Sequence, residues 1–310
     1  MNPKIVLVTG GCGFIGSHLV EALVVRGFKV RVLDNLSTGS LDNLSHLSDR
    51  DVEICIGDVV DLALVESVMA GCTYVFHEAA IASVPRSISD PIGTGKVNYG
   101  GTLNVLEAAR KHQVKRVIFA GSAAVYGDEP TLPKRESMPP HPVVPYAADK
   151  LASETIGQIY ARIFGIEFVS LRYFNVFGLR QDPSSPYSGV ISIFCDRILQ
   201  GLSPTIYGDG WQSRDFVHVS DVVQANLLAM QHPMASGQVF NVGRAESTTL
   251  LDILAILNEL TRQNLQAIFH EERLGDIRHS LADVTSLKRL GWSSLRTIRA
   301  GLAELIQSEK

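Results

Sequence analysis

The chain reads as a doubly wound α/β fold, a mainly parallel sheet with a smaller, interleaved C-terminal lobe. Three observations carry that reading. Through the first 120 residues short apolar runs alternate with amphipathic segments, the pattern of strand–helix–strand crossovers. A glycine-rich turn follows the first apolar run directly. Strand-like runs then return at Phe216–Val219 and Gln238–Val242, after a Pro- and Ser-rich break in composition.

Taken in order, Lys4–Thr9 is a continuous β-type run and Gly10–Gly16 a tight turn. Ser17–Arg26 has helical periodicity and stops at Gly27, a natural C-cap. Lys29–Leu33 is the second strand, with Asp34 at its end. Glu53–Ile56, Tyr74–His77, Arg116–Ala120 and Glu167–Leu171 are further strands, and Ala63–Val68, Thr102–His112 and Ala148–Phe164 the helices between them. Beyond residue 178, Gln181–Gly189 reads as a loop, followed by helices at Ile191–Gln200, Ser220–Met230, Leu250–Leu260 and Ile298–Ile306. Residues 1–178 and 216–242 are expected to form the sheet domain, and 179–215 with 243–310 the bulk of the smaller lobe. A crevice between them is the expected ligand site.

Composition narrows the function. The 310 residues carry 28 Lys and Arg against 32 Asp and Glu, a formal charge of −4, so nothing draws the whole chain to a phosphate backbone. Trp211 and Trp292 lack the interleaved basic residues of a stacking platform, which leaves no nucleic-acid partner. No apolar run approaches the ~18 residues of a membrane span. The start, MNPKIVLVTG, lacks the features of a secretory signal, and Cys12, Cys55, Cys72 and Cys195 have no metal or disulfide spacing. These features point to a cytoplasmic protein with reduced thiols. His218 and Asp221 lie three apart without a third ligand, so no metal is expected.

Gly10, Gly13 and Gly16 form GxxGxxG between a strand and a helix. That turn lets backbone approach a pyrophosphate at a helix N-terminus, the dinucleotide-binding arrangement of a Rossmann-type domain. Asp34 falls 18 residues beyond Gly16, where a carboxylate accepts both ribose hydroxyls and repels a 2′-phosphate. Asn35, Leu36 and Ser37 follow it with no arginine, which favours NAD over NADP. Asp58 is either a partner of the adenine amino group or a helix N-cap.

Tyr146 and Lys150 are four apart, on one face of a helix. An ammonium beside a phenol is expected to lower its pKa, giving a base able to take a proton from a sugar hydroxyl. Ser122 lies 24 residues before Tyr146, just past a strand end, where its hydroxyl can hold the substrate oxygen. Asn98 either orders a water or carbonyl near Lys150 or caps a helix. His77 reads as a hydrogen-bonded packing histidine.

With these residues in place the sequence resembles the extended short-chain dehydrogenase/reductases, above all their nucleotide-sugar epimerase/dehydratase group. VTGGCGFIGSHL (Val8–Leu19), HEAA (His77–Ala80), GSAAVYG (Gly121–Gly127), PYAADK (Pro145–Lys150), LRYFNVFG (Leu171–Gly178), GDGWQSRDFVHVSDVV (Gly208–Val223) and RLGDIRHSLAD (Arg273–Asp283) carry the resemblance across nearly the whole chain. It implies Ser122, Tyr146 and Lys150 as catalytic triad. Around NAD it implies Gly10, Gly13, Phe14, Ile15, Gly16, Asp34, Asn35, Asp58, Val59, Ala79, Ala80, Asn98, Tyr146 and Lys150. Ser83, Arg86, Ser122, Asn175, Arg214, Arg273, Asp276 and Ser280 would face a sugar nucleotide, with the two arginines Arg214 and Arg273 on its diphosphate.

Dehydratases of this group resemble TDEVYG at the serine segment, with an acid pair where this chain has Ala123 and Ala124. Two methyl groups cannot shuttle protons, and the related decarboxylases usually carry a glutamate in this segment. The resemblance then implies C4 epimerisation of a UDP-hexose through a transient 4-keto sugar, with a 4-reductase or dehydrogenase, or a non-catalytic nucleotide binder, as alternatives. Ser280, where relatives restricted to UDP-glucose and UDP-galactose carry tyrosine, leaves room for an N-acetyl group and favours UDP-GlcNAc. Arg86 and Arg278 suit a C6 carboxylate, though solvated surface charges are preferred for both. Some sugar epimerases place lysine in the loop after HxAG, where this chain has Ala82. A homodimer through Thr102–His112 and Ala148–Phe164 is implied, with Ala108, Ala109, Ala152 and Ile156 as its apolar contact or as a buried face within one chain.

Overall fold

The protein is described from a computed structural model, which covers residues 4–182, 189–272 and 277–308. The strands are β1 Ile5–Thr9, β2 Lys29–Asp34, β3 Val52–Ile56, β4 Cys72–His77, β5 Arg116–Ser122, β6 Glu167–Tyr173, β7 Asn175–Phe177, β8 Thr205–Tyr207, β9 Ser213–Arg214, β10 Phe216–His218, β11 Val239–Val242, β12 Thr248–Thr249 and β13 Ile268–His270. The α-helices are α1 Phe14–Val25, α2 Leu62–Met69, α3 Val84–Ser89, α4 Pro91–Gly95, α5 Gly101–Lys111, α6 Pro145–Phe164, α7 Val190–Leu199, α8 Val219–Gln231, α9 Leu250–Thr261, α10 Thr285–Lys288 and α11 Ile298–Ser308.

Seven strands form one sheet in the order β11-β6-β5-β4-β1-β2-β3, and the pairs β1–β2, β1–β4, β2–β3 and β4–β5 are parallel. The order reverses beside β1, the switch point of a Rossmann-type sheet. Leu7, Val75, Phe119 and Phe168 share a core with Val65 and Met69 of α2 and Val105, Leu106, Ala108 and Ala109 of α5. Continuous apolar strands such as IVLVT are what a sheet covered on both faces requires. Helix α6 approaches closely at Gly157, where an added Cβ would lie 2.2 Å from the Phe168 ring.

The chain divides into two compact units. The first holds Met1–Gly127, Pro140–Arg172 and Val223–Phe240; the second holds Asp128–Pro139, Tyr173–Val222 and Asn241–Lys310. The sequence reading places 128–139 with the nucleotide-binding segments and its cuts at 178 and 216. In the structure Lys134 bridges Ala282 in a parallel pair, donates its backbone N–H to Leu281 O at 2.7 Å and accepts from Asp283 N–H at 2.8 Å. Those main-chain bonds tie 128–139 to the second unit. That unit has its own core, where Phe194 and Ile198 of α7 meet Ile253 and Leu257 of α9 and Leu302 and Ile306 of α11.

Most elements lie within a few residues of their expected positions, and two helices begin early for a reason. Helix α1 starts at Phe14, not Ser17, because the glycine turn delivers the chain straight into it. Helix α6 starts at Pro145, whose fixed φ suits a first helical position, and ends at Gly165 in the left-handed region with φ 73°. The expected loop 181–189 lies largely outside the described residues. Among the described residues no helix is long and apolar enough to cross a membrane.

Helix α6 is bolted to β6 by a buried ion pair. Arg172 donates to both Glu154 oxygens, at 2.6 and 3.0 Å, Ser170 Oγ adds a third bond at 2.7 Å, and the guanidinium lies 4.9 Å from the Tyr126 ring. Both ion-pair side chains are almost inaccessible. Glu154→Ala leaves a buried cation without its counter-charge, and is expected to destabilise the fold by about 3–5 kcal/mol. A denaturant midpoint equal to the parent's would contradict this.

Candidate active site

Gly10 has φ +70°, and a Cβ there would stand 2.8 Å from Ala79 N. At Gly16 a Cβ would meet Gly10 O at 2.1 Å. These contacts require glycine, for they let the turn between β1 and α1 fold against the end of β4. Gly13 is the N-cap of α1 and provides no side-chain cap, so the first-turn amides face outward with the positive end of the helix dipole. A cleft of about 320 Å³ opens there. Of the residues expected around a dinucleotide, Gly10, Gly13, Phe14, Ile15, Gly16, Asp34, Asn35, Asp58, Val59, Ala79 and Ala80 all line it.

The Asp34 carboxylate is fixed by two amides, Cys12 N–H at 2.9 Å and Leu36 N–H at 2.8 Å. Asn35 Nδ2 donates to Asp58 at 2.7 Å, and Asp58 also accepts from Val60 N–H at 3.0 Å. Asp58 is therefore not a helix cap; Asp61 caps α2, accepting from Leu64 N–H. Burial, with Asp34 adding to it, pushes the Cys12 thiol up to about 12, so it stays protonated. The free amides, glycine approach and acidic strand end fit a dinucleotide.

Beneath the cleft His77 is fully enclosed. Thr102 Oγ1 donates to Asn98 O at 2.5 Å, so it accepts from His77 Nε2–H at 2.9 Å. Nδ1 then accepts from Thr9 Oγ1 at 2.7 Å, and Thr9 Oγ1 accepts from Ala79 N–H at 3.3 Å. Burial, reinforced by the Lys150 charge, pushes His77 down to about 3, which keeps it neutral. The packing role expected for it holds. Asn98 itself does not line the cleft. It sits in a π-helical turn, Lys96–Gly100, and its amide holds Ile81 through Ile81 N–H at 2.8 Å and Ile81 O at 3.2 Å. Asn98 does not cap a helix; it holds a main-chain carbonyl, that of Ile81, and so positions a cleft-lining backbone.

Tyr146, Lys150 and Ser122 come together at the end of β5. Ser122 closes that strand and accepts from Ala124 N–H at 3.2 Å, while the Tyr146 hydroxyl and the Ser122 side chain are hydrogen-bonded. Lys150 is buried, donates to Ala120 O at 2.8 Å and lies 4.9 Å from the Phe119 ring. Burial pulls its pKa down to about 8 against the opposing charges of Glu78 and Asp149. The phenol differs from expectation. Burial raises Tyr146 above the ordinary range and the Ser122 bond opposes the rise. Ala123 and Ala124 open the short 3-10 turn that follows and offer no proton-transfer group.

The expected sugar-nucleotide residues divide between the units. In the first, Ser83 is the N-cap of α3, accepting from Arg86 N–H at 3.1 Å, and Arg86 lines the cleft. In the second, β9, the pairing of Asn175 with Phe216, and the Ser213–His279 bridge bring Asn175, Arg214 and Ser280 together. Arg214 donates to Ser213 O at 3.0 Å, and Ser280 N–H to the same carbonyl at 3.1 Å. Arg278 pairs with Asp209 at 2.6 Å and Glu272 at 3.2 Å, as a surface charge. Arg273 and Asp276 lie outside the described residues.

Sequence reasoning passes over two acids. Asp215 is buried and accepts from the backbone N–H groups of Arg244, Ala245 and Ala282 at 2.5, 2.9 and 3.0 Å, fixing the segment that carries Arg214. Burial raises it to about 6 against those bonds. Its place beside Arg214 in SRDF is the available signal. Glu78 lines the cleft, and its carboxylate stands in plain view in HEAA.

Among the described residues no group of three or more His, Cys, Asp or Glu side chains could hold a metal ion. Residues 6–243 match the model of the NAD dependent epimerase/dehydratase family. The chain is similar to a UDP-N-acetylglucosamine 4-epimerase from Methanobrevibacter ruminantium M1, solved in complex with UDP-N-acetylmuramic acid: TM-score 0.94 and 40% identity, covering 99% of this chain and 98% of that one. A UDP-glucose 4-epimerase from Thermus thermophilus, solved in complex with NAD, matches with TM-score 0.90 and 38% identity over 98% of each chain. The UDP-glucose 4-epimerase of Mycolicibacterium smegmatis is 38% identical over 306 residues, 97% of both chains. With a glycine-lined cleft, an acidic second-strand end and the Ser122, Tyr146 and Lys150 cluster already in place, the chain belongs to the NAD dependent epimerase/dehydratase family.

Proposed function

We propose that the protein interconverts the C4 epimers of a UDP-hexose with NAD, and that UDP-GlcNAc and UDP-GalNAc are the pair it serves. The observation that carries this reading is the cluster at the end of β5. A buried ammonium and a phenol bonded to a serine hydroxyl stand there, with only methyl groups at the next two positions. Bound NAD supplies the hydride acceptor and donor at the sugar carbon and, when oxidised, a positive charge on its ring. The glycine turn and the α1 amides hold its pyrophosphate, and Asp34 takes its ribose hydroxyls.

Ser122 orients the C4 hydroxyl toward Tyr146, which accepts its proton as the carbon is oxidised and returns it to the carbonyl oxygen on reduction. A phenol with a raised pKa is suited to the return stroke. For the forward stroke the Ser122 hydrogen bond is the interaction that favours the phenolate. In the second unit Arg214 holds the diphosphate, with Asn175 beside it. Arg273 and Asp276 are assigned to the diphosphate and the nucleotide ribose on resemblance alone. Ser280 contributes a small wall to the hexose pocket, and the similarity to an enzyme named for UDP-N-acetylglucosamine supports the acetamido reading. We further propose a cytoplasmic protein, with reduced cysteines.

We also propose a homodimer, with a corrected contact face. Ala108 and Ala109 of α5 are fully buried in their own subunit's core and cannot meet a partner. Ile156 packs on that same core. Ile159, Ile163 and Phe164 of α6 are 38%, 65% and 48% exposed and form the apolar face available to a second copy.

Purified protein offered UDP-GlcNAc and UDP-glucose separately, with and without added NAD, should convert UDP-GlcNAc to its C4 epimer by NMR. Release of a stoichiometric reduced cofactor in place of an epimer would overturn the reading. Tyr146→Phe should keep the fold and bound NAD while lowering turnover by roughly 10²–10⁴-fold; near-parental turnover would remove the base assignment. Ser280→Tyr should depress kcat/KM for UDP-GlcNAc by about tenfold or more relative to UDP-glucose, and equal losses would show that this wall is not the size filter. Light scattering should report a dimer that Ile163→Glu converts to monomer, and an unchanged mass would place the contact elsewhere.

A further inference from the structure

We propose that Glu78 is a positioning residue of this site: its carboxylate keeps the buried Lys150 side chain charged. The inference rests on the assignment of Lys150 and Tyr146 made above. Its basis is the register between two neighbouring strands. His77, the last residue of β4, pairs with Phe119 of β5, and Glu78 and Ala120 are the residues that directly follow this last pair. The Ala120 carbonyl is the group that accepts from Lys150 Nζ at 2.8 Å. Parallel neighbours lie about 4.8 Å apart, which sets the acid next to the anchor of the ammonium. The Glu78 N–H donates to Thr9 O at 3.2 Å, fixing the residue at the sheet edge, and it lines the cofactor cleft.

A lysine in this setting needs such a partner. Its hydrogen bond goes to a neutral carbonyl and its other neighbour is an aromatic face, neither of which restores what an ammonium loses on leaving water. The charges around it are few. Glu78 and Asp149 support the charged form, and Asp149 is hydrogen-bonded to Asn98. His77 on β4 is neutral. On the elements packed against α6, Arg86 and Lys96 are exposed, Asp90 caps α4, and Glu107 is paired with Arg110 on α5. Within α6, Glu154 is committed to Arg172. Glu78 is the carboxylate that lines the cleft and also supports the Lys150 charge.

The consequence concerns the working pH. With Glu78 present Lys150 titrates near 8; without that charge it gives up its proton at lower pH. The test is NMR of NAD-loaded protein carrying isotope-labelled lysine, with the Lys150 signal assigned by its loss in Lys150→Met. In Glu78→Gln, which keeps the shape, the Lys150 midpoint should fall by on the order of one pH unit, and Glu78→Asp should restore it. The alkaline limb of kcat/KM for the UDP-sugar should move to lower pH by the same amount. An unchanged midpoint in Glu78→Gln, or a shift that Glu78→Asp fails to reverse, overturns the proposal. If the parent protein turns over no UDP-sugar the reaction assignment fails instead, and the lysine titration still decides the role of Glu78.

Discussion

A buried ammonium is the constraint around which the first unit is organised. Lys150 sits on α6 with its Nζ on the Ala120 carbonyl and over the Phe119 ring. Removing a lysine from water costs several kcal/mol unless the surroundings answer the charge, so every nearby element is disciplined by it. His77 must be neutral; burial and the Lys150 charge keep it so, and its two threonine partners fix its tautomer. The helix must be held at one height on the sheet, which the Glu154–Arg172 pair and the close approach at Gly157 accomplish. The lysine places Tyr146, since both lie on the same face of one helix.

A buried hydrogen-bond chain joins the helix that carries this ammonium to the nucleotide end. From Ala79 at the cleft wall it runs through Thr9 and His77 to Thr102 and the carbonyl of Asn98, which also accepts from Ser153 of α6 at 3.2 Å. Asn98 then grips Ile81, another cleft-lining residue, with both ends of its amide. Cleft wall and helix α6 are therefore set by one buried polar network. Such a network is rigid because each defect in it would strand a buried donor or acceptor.

How much of this the sequence discloses depends on whether a feature is local. The glycine turn, the strand-end Asp34 and the Tyr146–Lys150 spacing are patterns within a few residues, and each appears where its period places it. Ala108 and Ala109 are ambiguous in sequence because an inward stripe and a partner-facing stripe have the same helical period; only burial separates them. β8 and β13 are three residues each, too short for alternation to register, and they pair with one another from distant parts of the chain. Glu78 is the sharper case. Its identity is visible, but its meaning comes from the register of β4 against β5, which no run of adjacent residues encodes.

The pair Ala123–Ala124 completes the logic of restraint. An elimination needs a second acid and base close to the sugar, whereas oxidation and reduction at one carbon need a single proton relay and a fixed field. The turn after β5 has the composition of the second arrangement: Ser122 and Tyr146, proposed above as the relay, are hydrogen-bonded, and two methyl groups follow where titratable groups would compete for the proton. An added carboxylate at that turn would also stand close to the end of β5, in the field of Lys150, and would disturb the balance that burial, Glu78 and Asp149 set there. Omitting acids from this turn and retaining one at the end of β4 are thus two sides of the same electrostatic requirement.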